Sequence, residues 1–307
     1  MAKAKKAGGT GGSGGADGGA AGGGTGLPPG IEAAWGLRER PTKGPARGLT
    51  VESIVAAATD IASSEGLAAV SMSRVASAVG VSTMALYRYV SSKDDLVVLM
   101  TDAAYGTPPD GPPPGEGWRR GIEHWARAQR AMLHGCLWTL HVPITMPPAT
   151  PNSVAWMERG LACLRGTGLD EGEKLGVLSL LGGYVRNEAV LMASLVEAAR
   201  ASGRTMEEAT ASYAHLLRRL TDPERFPAIT AVLASGVLEP WRDAEGGAGQ
   251  DPAPDPEPDP EQDLDGDFAF GLDRILDGIE ALVRSRTGEG GDGEGDDGTR
   301  TRAPLTP

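Results

Sequence analysis

Apolar residues recur at helical spacing over residues 50–106, and polar residues or glycines divide them into four segments. In the first segment the apolar positions repeat every three to four residues, which places them on one face of a helix. Each segment starts just after a hydroxyl side chain that can accept a hydrogen bond from a free backbone N–H, as an N-cap residue does. These N-cap candidates are Thr50, Ser71, Ser82 and Ser92. The pattern predicts a small helical domain over 50–106.

Helical spacing resumes after the Pro/Gly-rich break "GTPPDGPPPGEG". We find no alternation typical of a strand and no internal repeat. The fold class predicted is therefore all-α, with a small N-terminal domain and a larger helical C-terminal domain over 116–286. Its predicted helices are 116–134, 151–166, 171–202, 205–221, 224–238 and 264–286.

Three segments have a composition that cannot bury enough apolar surface to offset the entropy of ordering them. These segments are a Gly-rich tail (1–30), an acidic Pro-rich loop within the C-terminal domain (243–263, ending in "DPAPDPEPDPEQD") and a polar tail (287–307). We expect all three to be disordered.

The spacing over residues 71–90 predicts a helix-turn-helix within a three-helix domain. Gly80 supplies the positive φ that ends one helix, Val81 places an apolar side chain in the turn, and Ser82 caps the next helix. This last helix, "STMALYRYV", is expected to run for about two and a half turns. Leu86 and Val90 share one face and should pack on the preceding helices. The outward face then carries Thr83, Met84, Tyr87 and Arg88.

Such an outward face fits a DNA duplex. Arg88 can pair with a phosphate or with guanine O6 and N7, while Tyr87 and Met84 can pack against thymine methyls or sugars. Tyr89 and Lys93 stand at the helix end, where phosphate contact is expected. The alternative for Tyr87 and Tyr89 is a partly buried, supporting role in the core.

The stretch from Thr50 to Met100 resembles the DNA-binding domain of the tetracycline-repressor (TetR) family. The matching positions are Gly66, Val75-Ala76, Gly80-Val81, Leu86-Tyr87, Lys93 and Asp95-Leu96. This resemblance implies a homodimeric regulator, mostly a repressor, that binds double-stranded operator DNA and is released by a small-molecule effector. It also implies a C-terminal effector domain of the tetracycline-repressor type. The DNA contacts implied are Ser73, Thr83, Met84, Tyr87, Arg88, Tyr89 and Lys93.

The net charge of −12 does not argue against DNA binding, because the acidity is concentrated near the C-terminus. Residues 243–307 hold 18 acidic and 5 basic residues, whereas residues 1–242 hold 23 and 24. A basic arm is predicted over 31–49, and it could follow the DNA backbone or enter the minor groove. The alternative is a solvated linker. Its basic residues are Arg38, Arg40, Lys43 and Arg47.

Two long amphipathic helices of the C-terminal domain can supply a four-helix bundle between two copies of the chain. Their apolar positions are Leu175, Leu178, Leu181, Val185, Leu191 and Leu195 in one, and Phe268, Leu272, Ile275, Leu276, Ile279 and Leu282 in the other. The alternative is that both stripes belong to the core of a single chain.

Tryptophans and histidines concentrate between residues 118 and 156. Aromatic walls with a few convergent polar groups are typical of a small-molecule pocket, although Trp is also a common core residue. No carboxylate cluster accompanies the histidines, so we predict no metal site and no cofactor. The candidate ligand-binding residues are Trp125, Arg130, His134, Trp138, His141 and Trp156.

Other classes of protein have little support in the sequence. We find no Ser-His-Asp spacing and no Gly-rich phosphate loop, so an enzyme is not expected. Neither a signal peptide nor an apolar run of membrane-spanning length occurs, and Cys136 and Cys163 are expected to be reduced core thiols, which favours a cytoplasmic protein. The remaining alternative function is a ligand-binding or adaptor protein that has lost operator binding.

Overall fold

A computed structural model describes residues 26–37, 49–111, 115–238 and 260–288, with the backbone alone for 260–265. The described residues form helices and connecting turns and no strand, so the all-α prediction is confirmed. They pack around two apolar cores. One lies in the N-terminal domain (here residues 49–106) and the other in the C-terminal domain (115–288).

Hydroxyl side chains start the helices of the N-terminal domain, as the sequence predicts. The Thr50 Oγ1 accepts from the Ser53 N–H at 3.1 Å, and the Ser92 Oγ accepts from the Asp95 N–H at 3.0 Å. Ser71 and Ser82 cap their helices in the same way. The helices are α1 (Pro29–Ala34), α2 (Val51–Glu65), α3 (Met72–Ala78), α4 (Thr83–Leu86) and α5 (Lys93–Tyr105).

Helix α4 is shorter than the two and a half turns predicted, since it ends at Leu86. Beyond it the N–H groups of Arg88 and Tyr89 donate to carbonyls three residues back, at 3.3 and 2.9 Å. Bonds of this kind tighten the last turn of a helix. The Val90 N–H still donates to the Leu86 carbonyl at 3.1 Å, so the turn continues to Val90 before Ser92, in an extended conformation, caps α5.

Helix α1 was not predicted, because its six residues fall at the junction of the expected tail (1–30) and the expected arm (31–49). Its Ile31 is buried, and Ala33 and Ala34 pack against the N-terminal core. The start of the segment described as an arm is therefore an ordered helix. The basic positions Arg38, Arg40, Lys43 and Arg47 lie outside the described residues.

Each helix predicted for the C-terminal domain is present, with ends that differ from the prediction by up to four residues. Its core is formed by α6, α7, α8 and α11, while α9 and α10 extend from the end of α8. The bounds are α6 (Gly117–Gly135), α7 (Pro151–Cys163), α8 (Glu171–Ala201), α9 (Met206–Leu220), α10 (Pro227–Ala234) and α11 (Pro260–Thr287).

Ion pairs fix α11 against its neighbours at the surface. Arg119 on α6 bonds to Asp277 at 2.8 Å, and this contact holds the pKa of the Asp277 carboxyl below its ordinary value. Arg286 pairs with Glu173 on α8 and likewise lowers the pKa of that carboxyl. Helix α11 thus belongs to the body of its own chain.

The two apolar stripes proposed for a dimer bundle divide between two roles. Leu178, Leu181 and Val185 of α8 are buried in the core of the single chain, as are Phe268, Leu272, Leu276 and Ile279 of α11. For these positions the intrachain alternative is correct. Leu175, Leu191 and Leu195 are exposed. The apolar stripe was correctly located, but it extends around two faces of α8.

The glycine-rich stretch 1–25, most of the acidic segment 243–263 and the tail 289–307 lie outside the described residues. Helix α11 begins at Pro260, inside the segment for which a loop was predicted.

Candidate nucleic-acid interface and its connection to the C-terminal domain

The turn between α3 and α4 depends on Gly80, whose φ is +72°. A side chain at this φ is strained, whereas glycine adopts it freely. The reversal is completed by the Val81 N–H, which donates to the Ala76 carbonyl at 2.9 Å. Ser82 then caps α4 by accepting from the Ala85 N–H at 3.2 Å. These three residues set the angle between α3 and α4.

Helix α4 is held from its inner side and open on its outer side. Leu86 and Val90 are fully buried in the N-terminal core, as predicted. Met84 is 77% exposed and Tyr87 45%, Arg88 is exposed, and Thr83 is half-buried. Tyr87 is therefore placed for an outside partner and not for core support.

Three further predicted contacts lie around this face in different environments. Ser73 is exposed on α3, with its Oγ 3.3 Å from that of Ser71. Lys93 is exposed as the first residue of α5. Tyr89 is half-buried and packs against the N-terminal core, so the supporting role left open for it is the one that the structure favours.

The charge of the N-terminal domain is unfavourable for DNA when taken as a whole. Residues 50–106 contain three basic and six acidic residues, a net of −3. Arg74 already pairs with Glu65. Within the described part of the chain, the side chains of Arg88 and Lys93 form no hydrogen bond or ion pair, and both residues are exposed. They are the cations of this domain left available for a phosphate or a base.

Trp125 and Trp156 are core residues of the C-terminal domain. Both are buried, and the Trp125 Nε1–H donates to the Trp156 carbonyl at 2.9 Å. The Trp156 Nε1–H donates to the carbonyls of Tyr105 and Gly106 at 3.1 and 3.0 Å. Their aromatic faces pack within the protein, and their N–H groups are already bonded.

Arg130 and His134, one turn apart on α6, converge on Glu188 of α8. The Arg130 guanidinium donates to both carboxylate oxygens at 3.1–3.2 Å, and the His134 Nε2 lies 3.4 Å from Oε2. The side chains of Arg130 and Glu188 are only 16% and 12% exposed. The guanidinium also lies 4.5 Å from the ring centre of Phe268 on α11. This cluster joins three helices of the domain.

Trp138 lies apart from the other candidates, in a 3-10 helix (Leu137–His141) that follows α6. Its side chain is buried in the core of the N-terminal domain, together with Leu86 and Met100. Its indole N–H has no hydrogen-bond partner among the described residues, so packing holds it there. His141, three residues on, is exposed. The six candidate residues therefore occupy separate places and do not surround one cavity.

Arg186 on α8 was not identified from the sequence, yet it connects the two domains. Its guanidinium donates to the Leu140 and Val142 carbonyls at 2.8 and 3.3 Å, at the end of the 3-10 helix that carries Trp138. Burial raises the pKa of Tyr105, at the end of α5, and the nearby charge of Arg186 opposes that rise. Arg186 gives no local sequence signal, because its carbonyl partners lie more than 40 residues away.

A second connection joins α5 to α7. The Asp102 carboxylate accepts from the backbone N–H and the side-chain amide of Asn152, at 2.9 and 3.2 Å. The same amide donates to the Asp102 carbonyl at 2.9 Å. Helix α5 also contributes Leu96, Leu99 and Met100 to the N-terminal core, so these hydrogen bonds join α7 to that domain.

The part of the chain that the structure describes contains no helix long and apolar enough to cross a membrane. The same residues contain no group of three His, Cys, Asp or Glu side chains placed to hold a metal ion.

Comparison with known proteins gives consistent matches. Residues 54–100 match the model for bacterial regulatory proteins of the tetR family, and residues 111–243 match the tetracyclin repressor-like C-terminal domain. The HTH-type transcriptional repressor DrrR1 of Streptomyces coeruleorubidus is 33% identical over 84% of this chain and 87% of its own length. An HTH-type transcriptional regulator of Saccharopolyspora erythraea is 30% identical, over 45% of this chain and 58% of its own.

Solved structures agree on the fold. The Streptomyces coelicolor TetR family protein ActR, in complex with actinorhodin, matches with a TM-score of 0.60 at 24% identity, over 76% of this chain and 97% of ActR.

Proposed function

The chain belongs to the tetracycline-repressor (TetR) family of ligand-responsive, DNA-binding transcriptional repressors, and we propose that it binds a palindromic operator as a homodimer and is released by a small molecule. Each copy inserts α4 into a major groove of the duplex. As a regulator of gene expression it acts in the cytoplasm.

The observation that carries this proposal is the outer face of α4. Arg88 and Met84 are exposed there without partners in the described residues, while Leu86 and Val90 fix the same short helix from behind. A guanidinium without an intramolecular partner keeps its donors for a base or a phosphate. We assign Thr83, Met84, Tyr87 and Arg88 to the groove, and Ser73 and Lys93 to the backbone. Tyr89 reaches the duplex with its hydroxyl edge while its ring supports the core.

Apolar residues left exposed on the C-terminal domain support the homodimer. A folded chain gains free energy when such a surface is buried against a second copy, by about 25 cal/mol per Å². The largest set lies along α8, and α11 adds Phe270. These residues are Leu175, Leu180, Val190, Leu191, Leu195, Val196 and Phe270.

We propose that the effector binds beside α6, with His134 and His141 as polar contacts, and that the closed packing around Arg130, Trp125 and Trp156 opens to admit it. Binding then displaces α7 and the 3-10 helix that carries Trp138. Both connect to the N-terminal domain, through Asp102–Asn152 and through Trp138. The domains then have two arrangements, one that binds the operator and one that is released. A ligand shifts the equilibrium between them only by its difference in affinity for the two.

Selection of bound sequences from a random duplex library tests operator recognition directly. The expected result is a self-complementary site, recovered by the full chain and not by Arg88→Ala. A matched control is Arg165→Ala, because Arg165 is an exposed arginine of the C-terminal domain. Small molecules are then screened for release of the selected duplex. If the full chain enriches no sequence, the operator proposal is wrong, and a ligand-binding or adaptor function becomes the better account.

A further inference from the structure

Helix α1 makes close contact with α5. A Cβ placed on Gly30 would lie 3.1 Å from the Asp95 carboxylate, 3.3 Å from the Asp95 Cα and 3.3 Å from the Val98 Cβ. Only a glycine permits so close an approach without movement of α5. Ile31, the next residue, is buried. A helix of six residues is not stable alone in water, so this packing maintains α1.

The C-terminal end of α1 contacts the other domain. Gly36, with a φ of +66°, ends the helix, and the Leu37 N–H closes the turn by donating to the Glu32 carbonyl at 2.9 Å. Trp35 stands just before this turn, and its Nε1–H donates to the Ala149 carbonyl at 2.7 Å. Ala149 belongs to the loop that leads into α7. Its carbonyl is thus bound by a residue 114 positions earlier in the chain.

Helix α1 and Trp35 lie outside the parts of the chain that match the family models, residues 54–100 and 111–243, while their contacts Asp95, Val98 and Ala149 lie inside them. Helix α1 is therefore an addition to the helices that the two models cover. Because it binds α5 with one end and the α7 loop with the other, it limits rotation of the N-terminal domain relative to the C-terminal domain.

We propose that α1 is a strap between the two domains, and that Trp35 is a positioning residue that fixes the separation of the two α4 helices in the dimer. The inference rests on the proposed function, since it concerns a dimer on two half-sites. With the strap in place, each α4 is held at the angle that matches one spacing of the half-sites. Without it, the domains sample other angles, and the dimer tolerates other spacings.

Half-site spacing is the readout that separates a positioning role from a merely structural one. The selected duplex is compared with versions in which one base pair is added or removed between the half-sites, and with a single half-site. Trp35→Phe keeps the aromatic ring and removes the Nε1–H. The loss of one hydrogen bond predicts a fall of about 2- to 10-fold in the preference for the native spacing. Affinity for the single half-site should be unchanged, because α4 itself is untouched.

Two further variants complete the test. Gly30→Ala adds a Cβ against α5 and should relax the spacing preference in the same direction. Trp118→Phe is the matched control, since its indole N–H makes no hydrogen bond within the described residues, and it should keep the native preference. If Trp35→Phe binds all spacings as the unaltered chain does, the strap inference is wrong while operator binding stands. If the unaltered chain binds none of the duplexes, the proposed function itself has failed.

Discussion

The outer face of α4 and the tryptophans of the C-terminal domain are both suited to binding, but the first is exposed and the second are buried. On α4, Met84 and Arg88 are exposed and have no partner in the described residues. In the C-terminal domain, Trp125 and Trp156 are buried and their N–H groups are bonded to backbone carbonyls. Residue types alone do not distinguish the two cases; the partners of each side chain do.

The difference has a physical reason. A duplex is larger than the surface that reads it, so that surface has to remain open and its donors unpaired before binding. A small molecule is enclosed, and aromatic residues that could enclose it also serve as core when the pocket is closed. Substitutions can therefore test which side chains are available to bind another molecule and which are already bonded or packed within the protein.

The largest expected effect is that of Trp156→Ala. Because Trp156 fills the core and bonds to the end of α5, the variant should lose about 3–5 kcal/mol of free energy of unfolding, as measured by chemical denaturation. Trp156→Phe, which keeps most of the ring volume, should lose about 1–2 kcal/mol. A Trp156→Ala protein of normal stability that no longer responds to effector would instead make Trp156 a pocket wall.

Arg130→Met should have the next largest effect, since it leaves the Glu188 carboxylate buried with only His134 beside it. The expected loss in free energy of unfolding is about 3 kcal/mol. The double variant Arg130→Met/Glu188→Leu should recover most of that loss, because it removes both charges. No recovery would indicate that Arg130 stabilises α11 chiefly through the Phe268 ring.

Arg88→Ala should reverse this pattern, with a small effect on stability and a large one on binding. Operator affinity should fall by about 1–3 kcal/mol if Arg88 reads a base. The free energy of unfolding should change by less than about 0.5 kcal/mol, as is usual for an exposed residue. Unchanged affinity in a gel-shift assay at fixed salt concentration would remove Arg88 from the interface.

The smallest effect per residue is expected in the basic segment between α1 and α2. Replacing its basic residues with glutamine removes the cations that precede residues 50–106, which carry a net charge of −3. The substitutions are Arg38→Gln, Arg40→Gln, Lys43→Gln and Arg47→Gln. If these residues contact phosphates, the slope of log affinity against log salt should become shallower by about 1 per contact. An unchanged slope identifies the segment as a solvated linker.

Much of the N-terminal domain was predictable because its signals are local. The caps at Thr50, Ser71, Ser82 and Ser92 lie within three residues of the N–H groups they accept from, and Gly80 needs only its own φ to mark the turn. The burial of Leu86 and Val90 follows from their spacing of one helical turn. Local chemistry of this kind is visible in the sequence.

The features that were missed depend on distant contacts. Helix α1 exists because it packs on α5, with Gly30 against Asp95 and Val98 more than 60 residues away. Leu175 and Leu178 look equivalent in the sequence, yet only Leu178 packs inside the chain, because a helix as long as α8 presents apolar residues to more than one side.

The position of Trp138 limits which parts of this protein can be exchanged with those of a relative. Because Trp138, from beyond α6, is buried in the same apolar core as Leu86 and Met100, the first 110 residues do not contain the whole of that core. A natural or engineered hybrid that exchanges these residues alone combines the N-terminal core of one protein with the Trp138 position of another. Recombination that preserves this packing carries residues 136–142 along with the N-terminal domain.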